Sequence, residues 1–292
     1  MYSQVPDIRA GLYLVATPIG TASDISIRAI NLIANANVLI AEDTRNLLKL
    51  MKIHNIKLDG RMLLSYHDHN GSEQRPKVLS ILKSQKSVVF VSDAGTPLIA
   101  DPGYRLVSEA ITRGFYVSCA PGACAVLAAL TISGLPTDKF FFGGFIPTKT
   151  EAKKQFFLNY LNLPATIVFY ESASRLSRTL DELCEVCDNE RKVVVCRELT
   201  KKFEDIRRGT LIEVANYFST FSKVKGEIVL LLSPAKLQIF GEKEVNDNLI
   251  DAIEYMSLKD AVSFVSKRLS IPKKIVYARA LSMKSSNPKF TY

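Results

Sequence analysis

An α/β fold built on a mostly parallel sheet is what this chain predicts, and three observations predict it. Short apolar runs rich in β-branched residues alternate with amphipathic helical patterns through the first half, as in βαβ units. Three of those runs lead directly into Pro/Gly turns, the place where α/β proteins hold ligands. At 292 residues, 47% hydrophobic and 23% charged, the chain can bury a large core and does not have the composition of a disordered segment.

The elements follow in order. Strands are expected near 11–16, 38–42, 62–65, 87–92 and 115–119, with helices near 24–36, 44–54, 73–85, 103–113 and 123–133. Asp24 reads as the cap of the first helix. Leu47, Leu48, Leu50 and Met51 recur at near-helical spacing and read as core. Leu135-Pro136-Thr137-Asp138 breaks the pattern, and Phe140 to Phe145 follows as a buried strand at a domain junction, with a base-stacking platform as the alternative. Thr148 to Lys154 opens a basic helix. Strands near 165–170, 192–198 and 227–233 and helices near 173–186 and 210–221 predict a second sheet, mixed or antiparallel. From about residue 245 the character changes to helices near 246–256, 258–269 and 272–285, with Lys267, Arg268, Lys273, Lys274, Arg279, Lys284 and Lys289 adding positive charge. The stretch from Ser257 to Tyr277 has helix-turn-helix character. Length and pattern together predict two α/β domains, 1–134 and 135–236, and a basic helical tail over 245–292.

A net charge of +9 favours a polyanionic partner such as RNA, against the plainer reading of a solubilising surface. There is no apolar run of membrane-spanning length and no secretory signal core, so a cytoplasmic protein with no membrane partner is expected. Cys119, Cys124, Cys184, Cys187 and Cys196 are odd in number and scattered, unlike a disulfide framework. Cys184-Glu185-Val186-Cys187 has no second pair at zinc-ribbon spacing, so reduced thiols are expected and no metal site.

The chemistry concentrates in three turns. Ala16-Thr17-Pro18-Ile19-Gly20 follows the first strand, Ser92 to Gly103 the fourth, and Pro121-Gly122-Ala123-Cys124-Ala125 the fifth. Glycine permits close backbone approach, proline stiffens the loop, and an aspartate can accept hydrogen bonds from a ribose or an amine. Neither Gly-x-Gly-x-x-Gly after a strand nor Gly-x-x-x-x-Gly-Lys-Ser/Thr occurs, so both familiar phosphate cradles are missing. A pocket made of such turns suits a ligand with an adenosine but no phosphate.

These turns belong to a longer ordered set: Thr17-Pro18-Ile19-Gly20 with Asp24-Ile25, Ala41-Glu42-Asp43-Thr44-Arg45, His67-Asp68-His69-Asn70, Ser92 to Gly103 and Pro121-Gly122. It continues with Phe169-Tyr170-Glu171-Ser172, Arg197 to Lys201 and Lys225-Gly226-Glu227. Spanning roughly residues 11 to 233, the set resembles the tetrapyrrole-methylase superfamily and, within it, the ribosomal small-subunit RNA methyltransferase I family. Two departures stand out: Thr21-Ala22-Ser23 where Asn-Leu is common, and Ala173-Ser174 in place of Thr-His.

The resemblance implies a two-domain fold with the methyl donor in the cleft between domains. It implies S-adenosyl-L-methionine as donor, and as acceptor the ribose 2′-hydroxyl of a decoding-centre cytidine in 16S ribosomal RNA of the small ribosomal subunit. A homodimer is the implied assembly. Carried onto this sequence, the donor site comprises Pro18, Gly20, Asp93, Ala94, Gly95, Thr96, Ile99, Gly122, Ala123, Cys124, Ala125, Tyr170 and Gly226. A weakly acidic hydroxyl calls for a positioned base, and Glu42, Asp43, His67, Asp68 and His69 are the catalytic candidates. Arg45 and Arg197 read as phosphate clamps, with pairing to Glu42 or Glu198 as the structural alternative; Lys273 and Lys274 are the RNA contacts expected in the tail. Two other functions fit the same fold, carbon methylation of a tetrapyrrole and non-catalytic RNA binding in assembly.

Overall fold

The computed structural model describes residues 8–235, 242–269 and 272–284. Among the described residues, those through Ala235 form one compact unit and those from Glu242 a second, each with its own core.

The first unit opens with β1 (Gly11–Val15), α1 (Ile27–Asn35), β2 (Val38–Ala41), α2 (Thr44–Ile53) and β3 (Met62–Ser65). It continues with α3 (Gly71–Lys83), β4 (Ser87–Val91), α4 (Tyr104–Thr112), β5 (Val117–Ala120) and α5 (Ala125–Ser133). The five strands pair in parallel in the order β3-β2-β4-β1-β5. Side chains alternate across such a strand, so both faces must be apolar if helices cover both. Leu12, Val88 and Phe90 meet Val78, Leu82 and Leu106 on one face. Tyr13, Val15, Val89 and Val91 meet Ile33, Leu47 and Met51 on the other. Of the four apolar residues expected as core in α2, Leu47 and Met51 are buried one turn apart, while Leu48 lies on the outer face and is exposed.

The same unit then adds β6 (Phe140–Phe145), α6 (Thr150–Tyr160), β7 (Thr166–Ser172), α7 (Leu176–Cys184), β8 (Lys192–Arg197), β9 (Asp205–Thr210), α8 (Leu211–Ser219) and β10 (Glu227–Leu232). These strands form a second sheet, β6-β7-β10-β8-β9, in which β6 runs parallel to β7 and the remaining pairs are antiparallel. Two sequence expectations change here. The aromatic run of β6 is a half-exposed edge strand with a bulge between Phe142 and Phe145, not a buried one. β9 was not expected because Asp205-Ile206-Arg207-Arg208-Gly209-Thr210 carries three charges; an edge strand tolerates them, since one side faces solvent.

α5 is apolar nearly all round, and its placement explains why. Val126, Ala129 and Leu130, with Ile19 beside them, pack on Val168, Val194, Cys196, Val229 and Leu231 of the second sheet. Burying side chains of this size contributes roughly 1.5–3 kcal/mol each, so this layer ties the turns of the first sheet to the second.

The second unit consists of α9 (Glu242–Ile253), α10 (Leu258–Arg268) and α11 (Lys273–Lys284) around Val245, Leu249, Val262, Val265, Val276 and Ala280. Ser257 caps α10 by accepting a hydrogen bond from the Asp260 backbone N–H. Arg279, one of the positive charges read in the tail, bonds Asn246 at 2.7 Å and Glu242 at 3.1 Å within the unit. Lys289 and the Lys284 side chain lie outside the described residues.

Candidate functional site: two adjoining cavities

The order β4-β1-β5 puts the three Pro/Gly turns side by side at the carboxyl ends of neighbouring strands. Thr17 and Gly95 exchange two backbone hydrogen bonds of 2.9 and 3.0 Å. Ser92 Oγ donates to the Gly95 carbonyl at 2.7 Å, and Thr96 Oγ1 to the Ala123 carbonyl at 3.0 Å. Gly95 adopts φ +80°, and a Cβ there would come 3.2 Å from Ile19 Cγ2. Leu98 and Ala100 are held at φ 72° and 64°, a region costly for side-chain-bearing residues and frequent at functional sites.

A cavity of about 380 Å³ opens over these turns, within the range typical of small-molecule sites. One wall comes from the first sheet: Ile19, Ala94, Gly95, Thr96, Ile99 and Asp101. Cys124 and Ala125 supply its floor at the start of α5, and Phe145, Tyr170, Leu199 and Gly226 close it from the second sheet. Pro18, Gly20, Asp93, Gly122 and Ala123 do not line it. Gly20 instead lets the chain approach Thr200, where a Cβ would come within 2.5 Å of the hydroxyl. Gly122 packs against Ala16, and Ala123 offers only the carbonyl that Thr96 uses. The Asp93 carboxylate is engaged at the start of α2, accepting from the Asp43 backbone N–H at 2.9 Å and from Asn46 Nδ2 at 3.1 Å.

The cavity's charge is one-sided. Asp101, Glu171 and Glu227 line it, and among the described residues no lysine or arginine does. The Glu171 side chain is fully buried, accepts from the Ser172 backbone N–H and Thr179 Oγ1, each at 2.6 Å, and pairs with Arg175. Lys153 reaches the same network through Thr179 and meets Glu182 at 2.6 Å. Glu227 pairs with Lys201, which also holds Glu198 below the usual carboxylate range. Burial pushes the Tyr170 phenol well above its ordinary range, and the ring sits edge-on to Phe142 and Phe145.

A second cavity of about 410 Å³ adjoins the first and is lined by Tyr66, His67, Asp68, Arg75, Tyr104 and Arg105 among others. Asp101 lines both. Burial, then Glu42 and Asp93, push the Asp101 carboxyl up to about 7. Glu42 is also raised, by burial first and then by Asp93 and Asp68. Asp43 is held down to about 2 by its hydrogen bonds from Arg45. His69 does not line the second cavity, although its ring lies 6.0 Å from that of His67.

Of the expected phosphate clamps, Arg45 is paired to Asp43 at 2.6 Å, and Arg197 lies 3.6 Å from Asp205 and donates to the Lys225 carbonyl. Neither meets Glu42 or Glu198, the partners considered from sequence. Lys273 and Lys274 are exposed at the start of α11. Burial pushes the Cys196 thiol up to about 12. Sequence reasoning notes both aspartates of the turn after β4 as hydrogen-bond acceptors but carries only Asp93 into the site, and it passes over Glu171, Leu199 and Glu227 as cavity walls. The signal for Asp101 was present in Ala100-Asp101-Pro102-Gly103, an acid just ahead of a rigid turn.

The geometry fits an adenosine-bearing sulfonium with a primary amine. Small residues allow close approach, carboxylates line the walls, and among the described residues no lysine or arginine lines the cavity to cradle a polyphosphate. Residues 11–215 match the family described as Tetrapyrrole (Corrin/Porphyrin) Methylases, and residues 241–284 match the RsmI C-terminal HTH domain. The chain is 40% identical over 280 residues to the ribosomal RNA small subunit methyltransferase I of Mesorhizobium japonicum, covering 96% of this chain and 94% of the relative. The protein of the same name from Rickettsia prowazekii is 39% identical, covering 93% and 94%. Among solved structures, uroporphyrin-III C-methyltransferase from Thermus thermophilus, complexed with S-adenosyl homocysteine, has the same fold, with a TM-score of 0.53 at 19% identity over 76% of this chain and 97% of that one. Diphthine synthase gives a TM-score of 0.56 at 14% identity, covering 76% and 89%. With relatives of that identity along nearly its whole length, the chain belongs to the ribosomal RNA small subunit methyltransferase I family of S-adenosylmethionine-dependent enzymes, built on the tetrapyrrole-methylase fold.

Proposed function

We propose that this enzyme methylates the ribose 2′-hydroxyl of a decoding-centre cytidine in 16S ribosomal RNA of the small subunit. The observation that carries the donor side is the first cavity's charge: carboxylates and small residues line it, with no lysine or arginine among the described residues. S-adenosyl-L-methionine supplies an electrophilic methyl group on a positively charged sulfur. The chain's own task is orientation, since an in-line displacement gains most from holding the reactants at the right distance and angle. Ala94, Gly95, Thr96 and Ile99 would lie along one side of the donor, Cys124, Ala125, Tyr170 and Gly226 along the other. Asp93, through Asp43 and Asn46, steadies the start of α2 beside them.

The acceptor side falls to the second cavity and its His67 and Asp68, with His69, Glu42 and Asp43 in the surrounding shell. Arg45 and Arg197 sit at the surface as phosphate contacts beyond it, and Lys273 and Lys274 of the helical unit serve as RNA contacts. We read residues 1–134 and 135–236 as domains that share the donor cleft, and the assembly as a cytoplasmic homodimer. Carbon methylation of a tetrapyrrole is disfavoured by the helix-turn-helix match at the carboxyl end, which a small carboxylate-rich substrate does not need.

Radiolabelled methyl transfer to purified small subunits, followed by nuclease digestion, tests the reading. The label should appear in 2′-O-methylcytidine; label in a methylated base, or transfer only to a tetrapyrrole, would overturn it. Calorimetry should show binding of S-adenosylhomocysteine and none of ATP or NAD.

A further inference from the structure

Two loops touch beside the first cavity, one from each sheet. Thr21, in the loop after β1, donates its backbone N–H to Thr200 Oγ1 at 3.1 Å and its hydroxyl to the Thr200 carbonyl. Gly20 makes the approach possible, since a Cβ there would come 2.6 Å from Lys201 Cγ and 3.0 Å from the Leu199 carbonyl. The residues just before this clasp on either side, Ile19 and Leu199, both line the cavity and share the apolar layer with Val126 and Leu130. Thr21 also opens the stretch in which this sequence departs from the family's Asn-Leu.

Each loop is braced on its own side. Glu198 and Thr200 hold φ 53° and 62°, costly values for residues with side chains and common at ligand clamps. The Thr200 backbone N–H donates to Glu204 Oε2 at 2.7 Å. Glu198 Oε1 accepts from the Glu227 backbone N–H and from Lys201 Nζ, each at 2.9 Å. Gly226, a cavity wall at φ +102°, rests on Glu198, where a Cβ would fall 2.5 Å from Cγ. Opposite, Thr21 leads into a short 3-10 turn over Ala22–Asp24, and the Ala22 carbonyl meets the His54 ring at 3.1 Å. With both loops braced, the two bonds between them fix the spacing of Ile19 on one wall from Leu199 and Gly226 on the other.

We propose that the Thr21–Thr200 clasp is a positioning device for the methyl donor, holding the walls of the first cavity at the separation the donor needs and slowing its release. This rests on the first cavity being the donor seat. A ligand that touches both walls must hold them together, and walls already joined lose less freedom when it binds. The clasp lies at the surface: Gly20 and Thr21 are exposed and Thr200 is half-buried. Its two hydrogen bonds compete with water, so they add little to global stability, yet they act on whatever depends on the spacing of the walls. The coupling is reciprocal: a clasp that favours bound donor is itself favoured by bound donor. Thr21 and Thr200 line neither cavity and act through Ile19 and Leu199.

The test uses the full-length protein with S-adenosylhomocysteine as the probe. Thr21→Val keeps the branched shape and removes the hydroxyl; it should weaken binding by about three- to tenfold, the range for one hydrogen bond, through faster dissociation. Thr21→Ser restores the hydroxyl and should bind within about twofold of wild type. In methyl transfer to small subunits, Thr21→Val should raise the KM for S-adenosylmethionine by a similar factor, with kcat at saturating donor within about twofold of wild type. Thr200→Val removes the second bond, and the double variant should lose less than the product of the two single losses, because the bonds act as one unit. In the wild type, hydrogen exchange at the Thr21 amide should slow by about three- to tenfold when the probe binds, a readout that needs no variant.

Unchanged affinity and dissociation in Thr21→Val, or a Thr21 amide indifferent to the probe, would overturn the proposal. So would a loss that Thr21→Ser fails to rescue, or a lower melting point with affinity intact, which would make the clasp a structural tie alone. Ile99→Trp examines the underlying reading separately: Ile99 is 39% exposed on the cavity wall, and the larger ring there should block the probe. Normal binding in Ile99→Trp would mean that the first cavity is not the donor seat, whatever the clasp does.

Discussion

The two cavities share an edge but differ in chemistry, and the difference divides the labour of the site. The first is walled by small residues, aromatic rings and carboxylates and has no cation among its described lining residues. The second is polar, with His67, Arg75 and Arg105 facing Asp68 and Asp101. In the second, Arg75 is already paired with Glu109, so Arg105 is the arginine there without an ion pair among the described residues and the one to which an anionic group would be drawn.

The largest effect expected from disturbing this contrast lies in the wall of the first cavity. Glu171→Ala would leave Arg175 and the Lys153–Thr179 link without their buried partner, costing about 3–5 kcal/mol of stability. Chemical denaturation should show that loss together with weakened S-adenosylhomocysteine binding. A variant as stable as wild type would mean that Glu171 is not the anchor of this wall.

A second perturbation sharpens the role of Asp93. It lines neither cavity, and its carboxylate serves two donors at the start of α2. Asp93→Ala should therefore lower stability by about 0.5–2 kcal/mol, the range for removing a helix-start acceptor. Donor affinity should change less than stability; a large drop in S-adenosylhomocysteine binding with an unaltered melting point would reverse that order.

The pH dependence of stability isolates the shared residue. Asp101 has its folded carboxyl raised to about 7, against roughly 3.9 in an unfolded chain. The folded state thus binds the proton more tightly, so this contribution is fully present below about pH 4 and is lost as pH rises through 7. Asp101→Asn keeps the shape of the protonated form. It should melt above wild type at about pH 8, by a margin that shrinks toward pH 4. A lower melting point at high pH would show that the ionised carboxylate is itself a structural support.

The smallest expected effect concerns the helical unit. Lys273→Ala with Lys274→Ala should leave donor affinity unchanged and make RNA binding less dependent on salt, by a slope of about 0.7 for each single-strand phosphate no longer neutralised. An identical salt slope would assign α11 to some task other than gripping RNA.

Much of the fold was legible because hydrophobic periodicity survives without tertiary information. The parallel run from β1 to β5 alternates strand and helix at readable intervals, and the turns after β1, β4 and β5 announce themselves by Pro and Gly. The edge strand β9 was not legible, since its charges match solvent exposure and only its pairing with β8 makes it a strand. The outward placement of Leu48 was hidden for a related reason: spacing shows that a face exists, not how wide it is.

The site divides in the same way. Ala94, Gly95, Thr96, Ile99, Cys124, Ala125, Tyr170 and Gly226 were named from sequence and meet in one cavity, because residue type and local turn chemistry travel with the chain. Pro18, Gly20, Asp93, Gly122 and Ala123 were named with them but do not line that cavity, although Gly20, Asp93 and Gly122 are exposed beside it. What the sequence determined by itself is the family, the alternation of elements and the absence of a phosphate cradle, all properties of residue order. Only the tertiary structure decided that Asp101 joins two cavities and that its proton is held near neutrality. Both depend on distances to Glu42 and Asp93 and on burial from water, and neither quantity exists until the sheets have packed.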